Sequence, residues 1–139
     1  IRKLTKLPFI LKGIISTDDA KHALDAGADC IVVSNHGGRV LDDMPGTTRV
    51  LSSICDAVNG KIPVLADGGV RSGMDAFKMM ALGADGVLVG RTVAIYAVGG
   101  GSPAVKLLLN NYNSELKNSM TLTGASNTKA ISKKMILKK

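Results

Sequence analysis

The chain has 139 residues, of which 45% are apolar and only 3% aromatic, and this length is enough for one compact domain with a hydrophobic core. Nothing resembles a signal peptide and no apolar run approaches the ~18 residues that a membrane span needs, so we expect no membrane association. The net charge of +7 arises mainly in residues 125–139, which hold five lysines and no acid, so we expect a solvated basic tail and no nucleic-acid binding.

Short apolar runs alternate with helical patterns along the chain. The runs have the composition of strands that are buried on both faces, and they cover residues 8–11, 30–33, 63–66 and 86–89. Capping serines and terminal glycines delimit helices that we predict over residues 16–27, 47–58, 72–83 and 104–122. Four consecutive strand–helix units predict an α/β fold with a parallel sheet.

The chain also contains a faint internal repeat. Residues 8–29 are echoed by residues 63–85, with proline, glycine, serine, Asp-Ala and Gly-Ala-Asp in the same order. A repeat of two strand–helix units fits a barrel better than an open dinucleotide-binding sheet, whose glycine fingerprint is absent. Because a complete (β/α)₈ barrel needs roughly 250 residues, we predict half a TIM barrel over residues 1–124, followed by the basic tail over residues 125–139.

Half a barrel has exposed surfaces. Its interior face and its two outer strand edges stay open to water. We therefore expect the chain to form a homo-oligomer, to pair with a missing half barrel, or to be part of a larger polypeptide. Cys30 and Cys55 lack the spacing of a metal or redox site, so we expect no metal and interpret both as small buried residues of a cytoplasmic protein.

Polar or glycine residues follow each of the predicted strands. They are Lys12-Gly13, Ser34-Asn35-His36-Gly37-Gly38-Arg39, Asp67-Gly68-Gly69-Val70-Arg71 and Gly90-Arg91. Since strand ends of a barrel meet at one rim, we expect these residues to form one site.

Two chemistries suit these residues. The imidazole of His36 can accept a proton near neutral pH, and the guanidinium of Arg39 suits a carboxylate. A histidine held by loop backbone and an arginine in a surface ion pair are the simpler alternative. The backbone of Gly68-Gly69 and of Gly90-Arg91 precedes helix starts and favours a phosphate, with Arg71 and Arg91 adding charge, although glycine turns with exposed arginines remain the alternative. His22, within a helix, is predicted to be a surface residue.

These four strand-end segments, in this order, resemble the FMN-dependent α-hydroxy acid dehydrogenase/oxidase family, which includes lactate oxidase, glycolate oxidase and the flavin domain of flavocytochrome b2. The His-Gly-Gly-Arg element is the most specific part of the resemblance, which extends over nearly the whole chain and corresponds to the C-terminal half of that family's barrel.

The resemblance implies FMN as cofactor and an L-2-hydroxy acid, such as lactate, as the substrate that is oxidised to a 2-oxo acid. It implies that His36 is the base and that Arg39 binds the substrate carboxylate. Lys12 and Ser34 would contact FMN, with the Lys12 charge stabilising the reduced flavin. The remaining cofactor-binding residues would be Asp67, Gly68, Gly69, Val70, Arg71, Gly90 and Arg91.

The resemblance also leaves questions open. The family's first four strands are missing, including an aspartate expected to orient the histidine, so we expect the isolated chain to have little or no activity. Whether His36 takes the hydroxyl proton or the α-carbon proton is undecided, as are the hydroxy acid and the electron acceptor. The alternatives are another barrel enzyme that binds FMN or a sugar phosphate, and an oligomerising half-barrel scaffold.

Overall fold

The computed structural model describes residues 2–136 as four successive strand–helix units. The strands are β1 (Ile10–Ile14), β2 (Cys30–Val33), β3 (Val64–Ala66) and β4 (Gly86–Val87). The helices are α1 (Thr17–Asp25), α2 (Thr47–Val58), α3 (Gly73–Ala81) and α4 (Arg91–Thr123). All strands are parallel and lie in the order β1-β2-β3-β4, which is the order in a barrel wall, whereas an open doubly wound sheet reverses its strand order. The predicted α/β fold with a parallel sheet is confirmed.

Helices pack on the sheet through buried apolar side chains at helical spacing. In α2 these are Leu51, Ile54 and Val58, each with no exposed surface, and they contact the fully buried strand β2. The spacing puts these three side chains on one helical face, which is why α2 is an amphipathic helix with the bounds that the sequence predicts.

Only β2 has the burial that we predicted for all of the strands. In β1, Ile10 is 53% exposed, and β4 is partly buried and only two residues long. β1 and β4 are the outer strands of the described sheet, so each has a neighbour on one side only. The apolar composition of these strands is that of a barrel wall, but the surfaces that would cover them do not belong to residues 2–136.

Two aspartates give the internal repeat a structural basis. The Oδ2 atom of Asp29 accepts the N–H of Phe9 at 2.7 Å, and the Oδ2 atom of Asp85 accepts the N–H of Val64 at 2.8 Å. The backbone N–H groups of the two aspartates return these bonds, each at 2.8 Å, to the carbonyls of Phe9 and Val64. Equivalent residues therefore join the start of a strand to the loop after the following helix in both copies.

Helix α4 differs from its prediction. It begins at Arg91 rather than at residue 104, and it is broken at Gly100 and Gly101, where Gly101 has a φ of +62°. One window of α4 has the length and the mean hydropathy, 1.4, of a membrane span, contrary to our expectation that no segment reaches this limit. The apolar residues of α4 lie on both sides of the break, so the helix is not straight and continuous through its apolar part.

The segment after α4 is not a solvated tail over residues 125–136. Ala125 and Ile131 are buried with Phe77 and Ala81 of α3 in a second apolar cluster. Lys133 also forms an ion pair with Asp56, with Nζ 3.0 Å from Oδ1. The prediction was wrong because it counted the lysines and overlooked the apolar residues between them. Residues 137–139 lie outside the described part of the chain.

Candidate active site

The strand ends meet at one rim and line a cavity of about 590 Å³. Ten of the residues that the sequence predicts for the site line this cavity, namely Lys12, His36, Arg39, Asp67, Gly68, Gly69, Val70, Arg71, Gly90 and Arg91. Ser34 is almost fully buried and accepts a hydrogen bond from Lys12, which lines the cavity. The expectation that the four segments form one site therefore agrees with the geometry.

Lys12 connects two of the segments. Its Nζ atom lies 2.7 Å from Oδ2 of Asp67 and 2.7 Å from Oγ of Ser34. The other carboxylate oxygen of Asp67, Oδ1, is buried and has no hydrogen-bond partner among the described residues. A buried acceptor without a donor is costly, so this oxygen favours a ligand that brings a hydroxyl or an N–H group.

His36 lies in an unusual turn. It has a φ of +54°, and Gly37 and Gly38 follow with φ values of +68° and +72°. The left-handed region costs a non-glycine residue roughly 1–2 kcal/mol, so the turn needs specific support. The turn exposes the His36 side chain at the rim.

The His36 imidazole has no acidic partner within the described residues. The ion pairs found there join Arg2 to Asp29, Lys12 to Asp67, Lys21 to Asp18 and Lys133 to Asp56. A histidine that acts as a base is usually oriented by a third group. Residues 2–136 therefore supply the histidine without a carboxylate to orient it.

The Arg91 side chain packs closely against Gly37. A Cβ atom on Gly37 would lie 2.9 Å from Nη2 of Arg91, so the turn and the guanidinium are in close contact. Any side chain at position 37 would displace Arg91 from the wall of the cavity, in addition to the strain of its positive φ.

The predicted anion-binding segments differ in their relation to helices. Gly90-Arg91 opens α4, and no side chain in the described part of the chain caps this helix, so its first N–H groups are available to an anion. The Gly68-Gly69 segment, in contrast, does not adjoin α3, which begins at Gly73 after the cap Ser72. The first N–H group of α3 is already bound, because Gly73 donates to Oε2 of Glu115 at 2.6 Å.

Three residues in and around the site were given no role by the sequence. Thr47 donates from Oγ1 to the carbonyl of Asp67 at 2.6 Å, and Glu115 caps α3 from α4. Asn35 accepts the N–H of Gly37 and donates to the carbonyl of Pro45. Asn35 was visible in the motif beside His36, whereas the contacts of Thr47 and Glu115 join segments distant in sequence.

The remaining candidates have ordinary roles. His22 is exposed on α1, as predicted. Burial, followed by the nearby charge of Asp85, raises the pKa of both cysteine thiols, that of Cys55 to about 11. Both are free cysteines whose raised pKa favours the protonated thiol, which is less reactive than the thiolate. This agrees with their interpretation as small packing residues.

Comparison with known proteins agrees with this geometry. The FMN-dependent dehydrogenase family matches residues 1–138. An L-lactate dehydrogenase of Pectobacterium atrosepticum is 51% identical over 90% of this chain and 32% of its own length. A peroxisomal (S)-2-hydroxyacid oxidase of Arabidopsis thaliana is 47% identical over 89% of this chain and 34% of its own length.

Solved structures give the same result. A crystal structure of mandelate oxidase with benzoyl-formic acid has a TM-score of 0.91 and 46% identity, and the match covers 94% of this chain and 39% of that chain. The prediction of a partial barrel of this family is confirmed. The chain spans about a third of the length of the curated relatives it matches, and it belongs to the FMN-dependent dehydrogenase family.

Proposed function

We propose that this chain supplies the base and most of the cofactor contacts of an FMN-dependent enzyme that oxidises an L-2-hydroxy acid to a 2-oxo acid. The observation that carries this proposal is that one cavity is lined by the Lys12–Asp67 pair, the His36 turn and the two loops that contain Arg71 and Arg91. The names of the relatives, L-lactate dehydrogenase and (S)-2-hydroxyacid oxidase, support the same reaction.

The cavity residues fit FMN. The Oδ1 atom of Asp67, which accepts no hydrogen bond from residues 2–136, favours a donor such as a ribityl hydroxyl. A Cβ atom built on Gly69 or Gly90 would meet no atom of residues 2–136 within 4 Å, so both face open space in which a phosphate could approach the backbone. Arg71 and Arg91 would supply the opposite charge, and Lys12 and Ser34 would contact the isoalloxazine ring. FMN, when bound, accepts the two electrons that the substrate loses.

Two side chains of one turn would handle the substrate. The Arg39 guanidinium offers paired donors to the substrate carboxylate. The His36 imidazole, three residues before Arg39, accepts a proton from the bound substrate on a ring nitrogen. Because both side chains extend from the same turn, its backbone geometry sets the distance between the Arg39 guanidinium, which binds the carboxylate, and the His36 imidazole, which accepts the proton.

The reaction requires more of the barrel than residues 2–136. His36 has no carboxylate partner there, so we infer little or no activity for the isolated chain. We use "complete barrel" for this chain together with the part of the barrel that its relatives carry.

One comparison tests the proposed function. The chain and the complete barrel are each titrated with FMN, and L-lactate is added without oxygen. We expect rapid bleaching of the flavin absorbance in the complete barrel only. No bleaching in the complete barrel with L-lactate, glycolate or mandelate would contradict the proposed reaction, and fast bleaching in the chain alone would contradict its dependence on the rest of the barrel.

The exposed apolar residues support an association partner. Ile10 of β1 is 53% exposed, and Ile95 and Val98 of α4 are 67% and 91% exposed. We infer that the missing part of the barrel covers the sheet edge, and a second copy of the chain is the alternative, which would make the chain an oligomerising scaffold. Light scattering after size exclusion distinguishes them, because a stable dimer of the isolated chain favours the second copy.

A further inference from the structure

The backbone of the His36 turn is left-handed at three consecutive residues, His36, Gly37 and Gly38. Glycine adopts this region freely, but a histidine does not. A strained residue persists only where its surroundings over-determine it. The contacts of this turn therefore identify the residues that fix the direction of the His36 side chain.

Three backbone N–H groups of the turn are bound by the two residues that precede it. Ser34 Oγ accepts the N–H of His36 at 3.1 Å. The side-chain Oδ1 of Asn35 accepts the N–H of Gly37 at 3.0 Å, and its backbone carbonyl accepts the N–H of Gly38, also at 3.0 Å. Asn35 thus provides two of the three acceptors.

The other end of the Asn35 amide is also bound. Nδ2 donates to the carbonyl of Pro45 at 3.2 Å, which ties the turn to the loop before α2. A Cβ atom on Gly68 would lie 3.6 Å from Oδ1 of Asn35, so this amide also borders the Asp67-Gly68 loop. Both polar atoms of the side chain are engaged, and the rotamer is fixed from two sides.

Asn35 lies outside the lining of the cavity that holds His36 and Arg39. It lines instead a neighbouring cavity of about 440 Å³, and its contacts with the turn are hydrogen bonds to the backbone N–H groups of Gly37 and Gly38. Resting on the function proposed above, we propose that Asn35 is a positioning residue that holds His36 left-handed and so directs the base at the substrate.

The test uses the FMN-loaded complete barrel with two variants. Asn35→Ala removes both side-chain contacts, whereas Asn35→Asp keeps the size and the acceptor for Gly37 but loses the donor to Pro45. Asn59→Ala is the control, because Asn59 is an exposed asparagine with a φ of +50° at the end of α2 and lines neither of the two cavities at the site. The measurements are the rate of flavin reduction at saturating hydroxy acid and a crystal structure of each variant.

For Asn35→Ala we expect the rate of flavin reduction to fall about a hundredfold, since small misplacements of a reacting group have effects of this size. We also expect His36 to leave the left-handed region. For Asn35→Asp we expect a loss of about tenfold with a positive φ retained, and for Asn59→Ala the wild-type rate. A substitution that only destabilised the protein would leave the φ of His36 unchanged.

Retention of the left-handed His36 in Asn35→Ala, or a rate within twofold of wild type, would overturn the proposal. If Asn35→Ala does not fold, Asn35→Asp decides, and a wild-type rate in that variant overturns it. If wild type itself reduces no flavin, the proposed function fails, and the φ of His36 in the variant structures still decides the role of Asn35.

Discussion

Lys12 and Asp67 occupy equivalent positions in the two copies of the internal repeat, and their side chains meet at a distance of 2.7 Å between Nζ and Oδ2. The two copies share the Asp29 and Asp85 contacts, but the equivalent position at the strand end is a cation in the first copy and an anion in the second. The pair orders one oxygen of Asp67 and leaves the other for a ligand.

Removal of the Lys12 ammonium should weaken FMN binding. In Lys12→Met, the mostly buried Asp67 carboxylate loses its only charged partner within the described residues. We expect the Kd for FMN in the complete barrel to rise at least tenfold, which corresponds to about 1.4 kcal/mol, because the variant lacks the charge that would contact the flavin and that holds Asp67 in place. Quenching of flavin fluorescence measures it. Lys21→Met, which removes the exposed partner of Asp18, is the control, and equal affinities in the two variants would refute the role of the pair.

Close packing of α3 on α4 predicts the effect of one methyl group. A Cβ atom on Gly73 would overlap the carbonyl oxygen of Tyr112, and the backbone of α4 cannot move without disturbing the Glu115 cap. Gly73→Ala should lower the free energy of unfolding by about 1–3 kcal/mol or more, as overpacked sites do. Urea unfolding measures this change in the complete barrel.

Gly99 supplies the matched control on α4. A Cβ atom there meets no other described residue within 4 Å, and alanine is the better helix former, so Gly99→Ala should be neutral or stabilise by up to about 1 kcal/mol. A Gly73→Ala protein as stable as the Gly99→Ala protein would show that the α3–α4 contact is looser than described.

The repeated aspartates should differ in their contribution to stability. Asp85 accepts the N–H of Val64, which is 3% exposed, whereas Asp29 serves Phe9 near the exposed start of β1. Asp85→Ala leaves a buried donor unpaired and should cost about 1–3 kcal/mol, and Asp29→Ala should cost less because water can replace the carboxylate. The urea midpoints of the two variants test this order, and a larger loss for Asp29→Ala would reverse it.

The thiol of Cys55 should make stability depend on pH in the alkaline range. Its pKa is raised from 9.0 to about 11, mainly by burial, so the folded state keeps a proton that the unfolded state releases above pH 9. The free energy of unfolding should therefore be unaffected below pH 9 and should fall between pH 9 and about 11. Cys55→Ser should reduce this fall.

Iodoacetamide provides an independent check on the cysteines. At pH 8 we expect slow labelling of both thiols in the folded protein and fast labelling in urea, because the thiolate is the reactive form. Labelling of the folded protein at the rate of a free thiol would mean that Cys30 and Cys55 are less buried than the structure indicates.

Local signals made much of the fold predictable. Ser16 and Ser72 accept the N–H groups of Asp19 and Asp75 at 3.0 Å, as their spacing indicates. The apolar spacing of residues 47–58 gave the bounds of α2, since one face of that helix is buried. The site segments were predictable because parallel strands bring their ends to one rim.

The features that were missed depend on contacts between distant segments. The helix predicted over residues 104–122 begins earlier, at Arg91, because the chain is helical on both sides of the break at Gly100 and Gly101. The packing of Ile131 depends on an apolar surface of α3 that sequence patterns do not display. The contact of Thr47 with the Asp67 carbonyl likewise requires knowledge of how α2 lies against β3.

The central claim is that His36 is the base of a 2-hydroxy acid oxidation. Its most direct test is the rate of anaerobic flavin reduction by L-lactate in the complete barrel with His36→Gln, measured by stopped flow beside His22→Gln, which alters an exposed histidine of α1. We expect His36→Gln to bind FMN normally and to reduce it about 10²–10⁴-fold more slowly than wild type, as the loss of a general base predicts. Flavin reduction at the wild-type rate in His36→Gln would contradict the account.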